Sequence, residues 1–119
     1  MIAQLMGLRT ISPGDLLRLS REGGAIAIDV NSRGSWLEAR VPGAVHLDPA
    51  AFDAAALPAD KLALLVFYCS NPLCRKAPTA ALRARTLGYQ NVRVMPAGIK
   101  GWVSARLPVE SGPTTVDTA

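Results

Sequence analysis

The five residues at positions 64–68, Leu-Leu-Val-Phe-Tyr, restrict the fold of this chain more than any other feature of its sequence. A run this short, this apolar and this rich in β-branched and aromatic residues is typical of a strand buried on both faces inside a parallel sheet. Similar runs alternate along the chain with segments of helical pattern. The alternation predicts an α/β domain of three layers, in which helices flank both faces of a central, mainly parallel, five-stranded sheet.

Strong end signals mark the predicted elements. Ser12 is suited to cap a helix that starts at Pro13, and the glycines at 23–24 and 88 are suited to end helices. Strands are predicted at 9–11, at 25–30, before 47, at 64–68 and at 91–95. Helices are predicted from 13, at 35–39, within 49–60, between 78 and 88, and at 99–105, where Trp102 is expected to pack on the sheet.

Cys69 directly follows the central apolar run, and a polar loop and then a helix follow Cys69. This order predicts a thiol at the carboxyl end of a buried strand, beside helix N–H groups that bind anions. A thiol in that position ionises more easily than usual, and the thiolate is a nucleophile. Cys69 is therefore the predicted catalytic residue. The predicted substrate-binding residues form the loop, namely Ser70, Asn71, Pro72, Leu73, Cys74, Arg75 and Lys76.

Two cations and a second thiol give this loop its predicted chemistry. Arg75 and Lys76 are suited to hold an anionic substrate or product. Cys74 lies five positions after Cys69. It is either a resolving thiol, if the loop folds back, or a residue that only packs. The alternative for Cys69 itself is a small, unreactive core residue.

Asp29 and Arg40 are predicted as supporting residues of the site. Asp29 lies near the end of an apolar strand, where a carboxylate is costly unless it is hydrogen-bonded. It either caps the N–H groups of the following loop or lies beneath the site. His46, the one histidine, is interpreted as structural rather than as a base for Cys69.

Composition excludes several classes of function. The net charge of +4 suits anionic ligands, but the cations are scattered and the aromatics few, which argues against nucleic acid as a partner. Two cysteines make no secreted disulfide framework, and with one histidine a conventional zinc site lacks ligands, so no metal is expected.

The ends of the chain and its apolar runs bear on localisation and on domain boundaries. Residues 1–7 lack the features of a signal peptide, and the longest apolar run, 62–69, is far shorter than the ~20 residues of a membrane span. A cytoplasmic protein without a membrane partner is expected. One domain is predicted over residues 1–107, followed by a flexible tail over 108–119 that is rich in Ser, Gly, Pro and Thr.

Taken in order, these residues resemble the rhodanese-like domain over positions 10–106. Asp29-Val30, then Trp36, then Val-Pro-Gly-Ala at 41–44 is similar to the first signature of that family. Phe-Tyr-Cys at 67–69 is similar to its strand leading to the catalytic cysteine. The closing pattern of the family is matched at 80–89, 91–92 and 97–102.

The resemblance implies a sulfurtransferase that works through a Cys69 persulfide. The thiolate would attack a sulfane sulfur, as in thiosulfate, expel sulfite and hold the sulfur for transfer. The implied partners are a small anionic sulfur donor and a thiol or cyanide acceptor, and in addition a sulfur-relay or reductant protein. No cofactor or metal is implied.

The sequence also departs from the family pattern. Asn31 stands where an arginine usually follows the signature aspartate, and Ala39-Arg40 replaces the common Gly-His. The loop carries Pro72 and Cys74, and it is interpreted as about two residues longer than the ordinary sulfurtransferase loop. Loop length separates sulfur-transferring members of the superfamily from phosphatase-like ones, so the substrate class stays open.

Two alternative functions follow from these departures. The longer loop and Arg75 favour an oxyanion enzyme similar to a phosphatase or an arsenate reductase. Against it, the position of Arg75 six residues after Cys69 is interpreted as a departure from the Cys-x5-Arg spacing of phosphatases. The second alternative is a non-catalytic binding module, against which the intact Cys69 counts.

Overall fold

The computed structural model describes residues 2–113 and confirms the predicted fold class, a five-stranded parallel sheet with helices on both faces. The strands, in chain order, are β1 (Arg9–Thr10), β2 (Ile26–Asp29), β3 (Val45–His46), β4 (Leu65–Tyr68) and β5 (Val92–Val94). The helices are α1 (Ile2–Leu5), α2 (Pro13–Arg21), α3 (Arg33–Glu38), α4 (Lys76–Thr86) and α5 (Gly98–Ser104), with a 3₁₀ turn at Ala54–Ala56. The strand order across the sheet is β1-β5-β4-β2-β3, so β4 is central.

All four residues of β4 are buried, because helices cover both faces of the strand. Leu65 and Phe67 pack in the layer that contains the alanines of α4, whereas Val66 and Tyr68 pack with Trp102 of α5 in the opposite layer. Each large apolar side chain buried in this way stabilises the fold by roughly 1.5–3 kcal/mol. The two-sided burial explains why the β4 sequence is continuously apolar rather than alternating.

Helix α4 packs closely on β4 because the side chains it buries are small. These residues are Ala77, Pro78, Ala80, Ala81 and Ala84. The helix begins at Lys76, two residues before the predicted start, and Pro78 lies inside its first turn, where a missing N–H breaks no helical hydrogen bond. This earlier start brings the helix N-terminus closer to Cys69 in the chain.

The other helices match the prediction in position, with shifts at their ends. The side chain of Ser12 accepts a hydrogen bond from the N–H of Asp15, as predicted, and α2 ends just before Gly23, whose φ is +75°. Ser32 caps α3, which therefore begins at Arg33 instead of at 35. Helix α1 was not predicted, because so short a segment carries no periodic signal. None of the helices in the described chain is both long and apolar enough to cross a membrane.

The segment after α5 is attached to the domain farther than the predicted boundary at residue 107. The backbone of Glu110 exchanges two hydrogen bonds with that of Arg40, at 2.9 and 3.0 Å. The indole N–H of Trp102 donates to the carbonyl of Pro108 at 2.7 Å. The backbone N–H of Gly112 donates to the carbonyl of Leu37 at 2.8 Å. Residues 108–113 are thus fixed by hydrogen bonds, and the rest of the predicted tail, 114–119, lies outside the described residues.

A buried hydrogen-bond cluster joins the two central strands at their carboxyl ends. The hydroxyl of Tyr68 donates to Asp29 Oδ2 at 2.6 Å and accepts from the N–H of Val41 at 3.0 Å. Asp29 Oδ1 accepts from the N–H of Asn31 at 2.8 Å, and this is one of the two roles predicted for Asp29. Burial raises the pKa of Asp29 despite these hydrogen bonds. Asp29 therefore fixes the backbone next to the end of β4.

Replacing Tyr68 by Phe removes the hydroxyl and deprives both Asp29 and the N–H of Val41 of this partner. A buried polar group that loses its hydrogen bond costs roughly 1–3 kcal/mol, so we expect Tyr68→Phe to lower the free energy of unfolding by about 2–4 kcal/mol. Urea denaturation of the wild type and the variant measures the difference.

Tyr89→Phe is the matched control, since the hydroxyl of Tyr89 donates only to the carbonyl of Pro58 at a partly buried position. We expect this variant to lose about 1 kcal/mol. Equal losses in the two variants would contradict a special role for the Tyr68 hydroxyl.

Candidate active site

Cys69 lies directly after β4, at the carboxyl edge of the sheet, and only 3% of its surface is exposed. The carbonyls of Cys69 and Ser70 accept hydrogen bonds from the N–H groups of Ile99 and Lys100, at 2.9 and 3.1 Å. These bonds hold the start of the loop against the first turn of α5. The thiol is thereby placed on a part of the backbone that two elements restrain.

Gly98 permits this contact between the loop and α5, a role that was not predicted from the sequence. Gly98 has a φ of +66°, and a Cβ at this position would lie 2.4 Å from the carbonyl carbon of Ser70. Any other residue would therefore displace the loop. Gly98 was assigned only to a turn, because the sequence does not show which backbone approaches it.

The loop folds back on itself through a tight turn at its tip. The N–H of Leu73 donates to Asn71 Oδ1 at 2.9 Å, and the N–H of Cys74 donates to the carbonyl of Asn71 at 3.2 Å. Pro72 and Leu73 form the exposed tip, with Leu73 82% exposed. The turn carries Cys74 back toward Cys69.

The two cysteines are in contact, as the folded-back loop in the sequence analysis would require. The Cys69 thiol donates to the carbonyl oxygen of Cys74 at 3.7 Å, and both residues line the same small cavity. Both cysteines are free, Cys69 buried and Cys74 partly exposed. The loop therefore brings two cysteines together, with the Cys69 thiol hydrogen-bonded to the backbone of Cys74.

This contact makes the two thiols unequal as acids. Burial raises the pKa of the Cys69 thiol, and donation to Cys74 raises it further, although N–H groups of Ala77 and Ser70 lower it in part. Burial also disfavours the Cys74 thiolate, but hydrogen bonds from Cys69 and from the N–H groups of Lys76 and Ser70 outweigh burial and lower the pKa of Cys74. The prediction that Cys69 ionises easily is wrong in this conformation, and Cys74 is the thiol that ionises more readily.

The space beside Cys69 is small. The cavity between the loop, Ala77 and Pro96 has a volume of about 10 Å³, which is close to the room that one water molecule needs. A tetrahedral oxyanion does not fit there. The carbonyl of Cys74 faces the thiol, so the loop in this conformation does not surround Cys69 with N–H groups alone.

Arg75 and Lys76 lie at the rim of the loop. Both residues are exposed, and Arg75 occupies the N-cap position of α4 without a side-chain capping bond. Lys76 also lines an open groove of about 630 Å³ together with Asn31 and His46. The amide nitrogen of Asn31 is buried and lacks a hydrogen-bond partner in the described chain. The cations are placed for a ligand approaching from solvent rather than for direct contact with Cys69.

Arg40 and His46 have structural contacts. The guanidinium of Arg40 is buried over the ring of Trp36 and donates to the carbonyls of Trp36 and Gly112, at 3.0 and 2.7 Å. His46 stacks on Trp36 with 4.8 Å between ring centroids, and its Nε2 lies 2.7 Å from the carbonyl oxygen of Asn31. These contacts fix the backbone around β3, and Arg40 supports the site only through that backbone.

Acidic, histidine and cysteine side chains of residues 2–113 form no cluster of three or more that could hold a metal ion. The reactive groups of the site are two thiols on a loop at the carboxyl edge of a parallel sheet. Fold and site together define a cysteine-bearing α/β domain with a loop in front of a helix N-terminus. The chain belongs to the rhodanese-like domain family, whose model matches residues 12–105. No curated protein matches it.

Solved structures share this fold. The BH2092 protein of Bacillus halodurans superposes with a TM-score of 0.79 at 24% identity, over 87% of this chain and 77% of its own. A thiosulfate sulfurtransferase of Pseudomonas aeruginosa gives a TM-score of 0.77 at 26% identity, over 88% of this chain but only 20% of that protein. The Rhodopseudomonas palustris protein RPA3614, a possible tyrosine phosphatase, gives 0.70 at 22% identity, over 87% and 86%.

The spacing between Cys69 and Arg75 differs from the spacing interpreted from the sequence. Five residues, 70–74, separate Cys69 from Arg75, so the loop does have the Cys-x5-Arg spacing. The interpretation that its spacing differs from that of phosphatases was therefore wrong. The spacing between Cys69 and Arg75 therefore does not argue against a phosphatase-like enzyme.

The unequal acidity of the two thiols predicts the order in which they alkylate. Because the thiolate is the reactive form, we expect limiting iodoacetamide at pH 7 to modify Cys74 before Cys69. The rates should differ by at least about tenfold, the effect of one pKa unit below both pKa values. Peptide mapping after short reaction times measures both rates, and the urea-unfolded chain, in which the thiols should react alike, is the control. Faster alkylation of Cys69 in the folded protein would refute the assignment of the thiolate to Cys74.

Proposed function

We propose that this protein is a sulfurtransferase that carries sulfane sulfur as a persulfide on Cys69. The observation that carries the proposal is the contact of the Cys69 thiol with Cys74, beside one small cavity, in a rhodanese-like domain. Cys69 is a nucleophile that needs a base, and the lowered pKa of Cys74 makes its thiolate the candidate base. The substrate is a small anionic donor such as thiosulfate, and the acceptor is a thiol or cyanide.

The first half-reaction uses the pair as nucleophile and base. The Cys69 thiol passes its proton to the Cys74 thiolate while Cys69 Sγ attacks the outer sulfur of thiosulfate. A sulfur–sulfur bond forms at Cys69, the sulfur–sulfur bond of thiosulfate breaks, and sulfite leaves with the bonding electron pair. The products are a Cys69 persulfide anion, a neutral Cys74 thiol and sulfite, so atoms and charge balance.

The size of the cavity favours sulfur transfer over chemistry that retains an oxyanion on the enzyme. A persulfide adds one atom to Cys69, and the cavity of about 10 Å³ has room on that scale. The loop must open to admit thiosulfate as well as phosphate or arsenate, but only the persulfide that remains after sulfite leaves fits the closed cavity, since a phosphoryl or arsenyl group on the same sulfur carries several oxygens. N–H groups of Ser70 and Ala77 act on the Cys69 sulfur and are suited to stabilise the persulfide anion.

A single mass measurement tests the proposal. After prolonged incubation with thiosulfate and removal of excess reagent, the Cys74→Ser variant should gain one sulfur, about 32 Da, that cyanide removes as thiocyanate. The incubation is prolonged because loss of the Cys74 base slows capture of the sulfur without preventing it. We use Cys74→Ser here to retain any persulfide for detection. The Cys69→Ser/Cys74→Ser double variant is the matched control and should gain nothing. Sulfur found only on Cys74 of the Cys69→Ser variant, with none on Cys69 of Cys74→Ser, would overturn the proposal.

The second candidate is a phosphatase-like enzyme, which the Cys-x5-Arg spacing favours. The similar structure from Rhodopseudomonas palustris has a suggested activity of that class. Hydrolysis of p-nitrophenyl phosphate, assayed beside thiosulfate:cyanide transfer, separates the two. Phosphate release that depends on Cys69, without a persulfide, would support this candidate instead.

Arg75 is the loop cation that we expect to attract the anionic donor. Loss of a charge-assisted hydrogen bond costs roughly 1.5–3 kcal/mol, so Arg75→Ala should raise the thiosulfate KM by about tenfold or more. Steady-state kinetics at low and high salt measure the effect, which should shrink as salt screens the charge.

Arg21→Ala is the control for net charge, because Arg21 lies at the end of α2 that leads into the amino end of β2. This variant should leave KM nearly unchanged. Equal KM values for Arg75→Ala and the wild type would exclude Arg75 from donor binding.

A further inference from the structure

The Cys69–Cys74 contact has a consequence after the sulfur has been captured. We propose that Cys74 is the resolving thiol of Cys69. It attacks Cys69 Sγ when that atom carries a leaving group, closes a Cys69–Cys74 disulfide, and in the sulfur-transfer reaction releases hydrosulfide. In that reaction the inference rests on the proposed function. With peroxide as the oxidant it stands independently.

The geometry gives Cys74 an advantage over any outside thiol. Cys69 is 3% exposed, and the cavity beside it holds about 10 Å³, so an external acceptor has no room to approach its sulfur while the loop stays closed. Cys74 already lies against that sulfur, because its carbonyl oxygen accepts from the Cys69 thiol at 3.7 Å and both residues line this cavity. The second nucleophile is therefore part of the loop.

The turn at the loop tip maintains this arrangement. Asn71 accepts hydrogen bonds from the N–H groups of Leu73 and Cys74, at 2.9 and 3.2 Å, and these bonds fold the chain between the two cysteines. At the other end of the loop, Cys69 and Ser70 are tied to α5. The backbone on both sides of the pair is thus restrained, which limits the entropy lost when the sulfurs are joined.

The resolving step balances without any further reagent. The Cys74 thiol, which gained the Cys69 proton in the first half-reaction, attacks Cys69 Sγ of the persulfide anion. The bond between Cys69 Sγ and the outer sulfur breaks, and that sulfur leaves with the bonding electrons and the Cys74 proton as hydrosulfide. The products are the Cys69–Cys74 disulfide and hydrosulfide, which together account for the atoms and the charge of the persulfide anion and the thiol.

The disulfide must be reduced before another cycle, and the location of Cys74 makes one of its sulfurs accessible to a reductant. Cys74 is partly exposed beside the exposed loop tip, whereas Cys69 is buried. A dithiol reductant would attack the Cys74 sulfur, release the Cys69 thiolate, and leave as its own disulfide after a second exchange. The two electrons thus come from the dithiol, and the net reaction converts sulfane sulfur into sulfide.

Hydrogen peroxide tests the pair without sulfur chemistry. Peroxide oxidises one cysteine of the pair to a sulfenic acid and becomes water, and the other thiol then displaces a second water as the disulfide forms. Non-reducing peptide mapping of the wild type should find a Cys69–Cys74 link that dithiothreitol opens. In Cys74→Ser and Cys74→Ala this link cannot form, and any Cys69 that peroxide oxidises should proceed to sulfinic acid, which dithiothreitol does not reverse.

Thiosulfate without added reductant tests the sulfide-releasing step in the same variants. The wild type should release about one sulfide per chain and acquire the disulfide, whereas Cys74→Ser should hold the sulfur as a persulfide and release at least about tenfold less sulfide. Matching circular dichroism and thermal unfolding of the variants establish that they are folded.

The outcomes separate the two proposals. A disulfide with peroxide, but neither sulfide nor thiocyanate from thiosulfate with the wild type, would support the resolving pair and overturn the proposed function. A persulfide in Cys74→Ser with no disulfide in the wild type under either reagent would overturn the resolving role and leave the proposed function standing. Sulfur mapped to Cys74 of the wild type, with no disulfide, would also overturn the resolving role.

Discussion

The buried hydrogen bond between Tyr68 and Asp29 is the constraint on which the site depends. It joins β4 to β2 at the carboxyl edge of the sheet, and through Val41 and Asn31 it also fixes the chain that leads to β3. The reactive loop starts at the next residue after Tyr68. Loss of a buried partner is more costly than the net value of one hydrogen bond, so the position of the loop start is held firmly.

Burial and hydrogen bonding act on the two cysteines in opposite directions. Burial alone would keep both thiols protonated, because a thiolate in an apolar site is poorly solvated. The loop N–H groups and the Cys69 thiol converge on Cys74 and outweigh its smaller burial, whereas Cys69 is more deeply buried. A buried nucleophile beside a more acidic partner can exchange its proton locally, so Cys69 need not be ionised at rest to react.

The same loop carries features of two enzyme classes, and space and charge bear on them differently. The Cys-x5-Arg spacing is compatible with an oxyanion, yet Arg75 is exposed and the space at the thiol matches a single small atom. Membership of the rhodanese-like domain family is established by the match over residues 12–105. Because a fold does not by itself define an activity, the thiol pair carries the functional argument.

The sequence alone determined the layered parallel sheet, the central place of β4 and the position of Cys69 at its end, because apolar runs and helix caps are local signals. It also placed Asp29 as a hydrogen-bonded strand-end carboxylate. Only the tertiary structure decided that Gly98 approaches Ser70, that Arg40 is buried with the segment 108–113, and that Cys74 rather than Cys69 is the more acidic thiol. Those properties arise from contacts between residues distant in the chain or from the conformation of a short loop. The local periodicity of the sequence predicts neither of them.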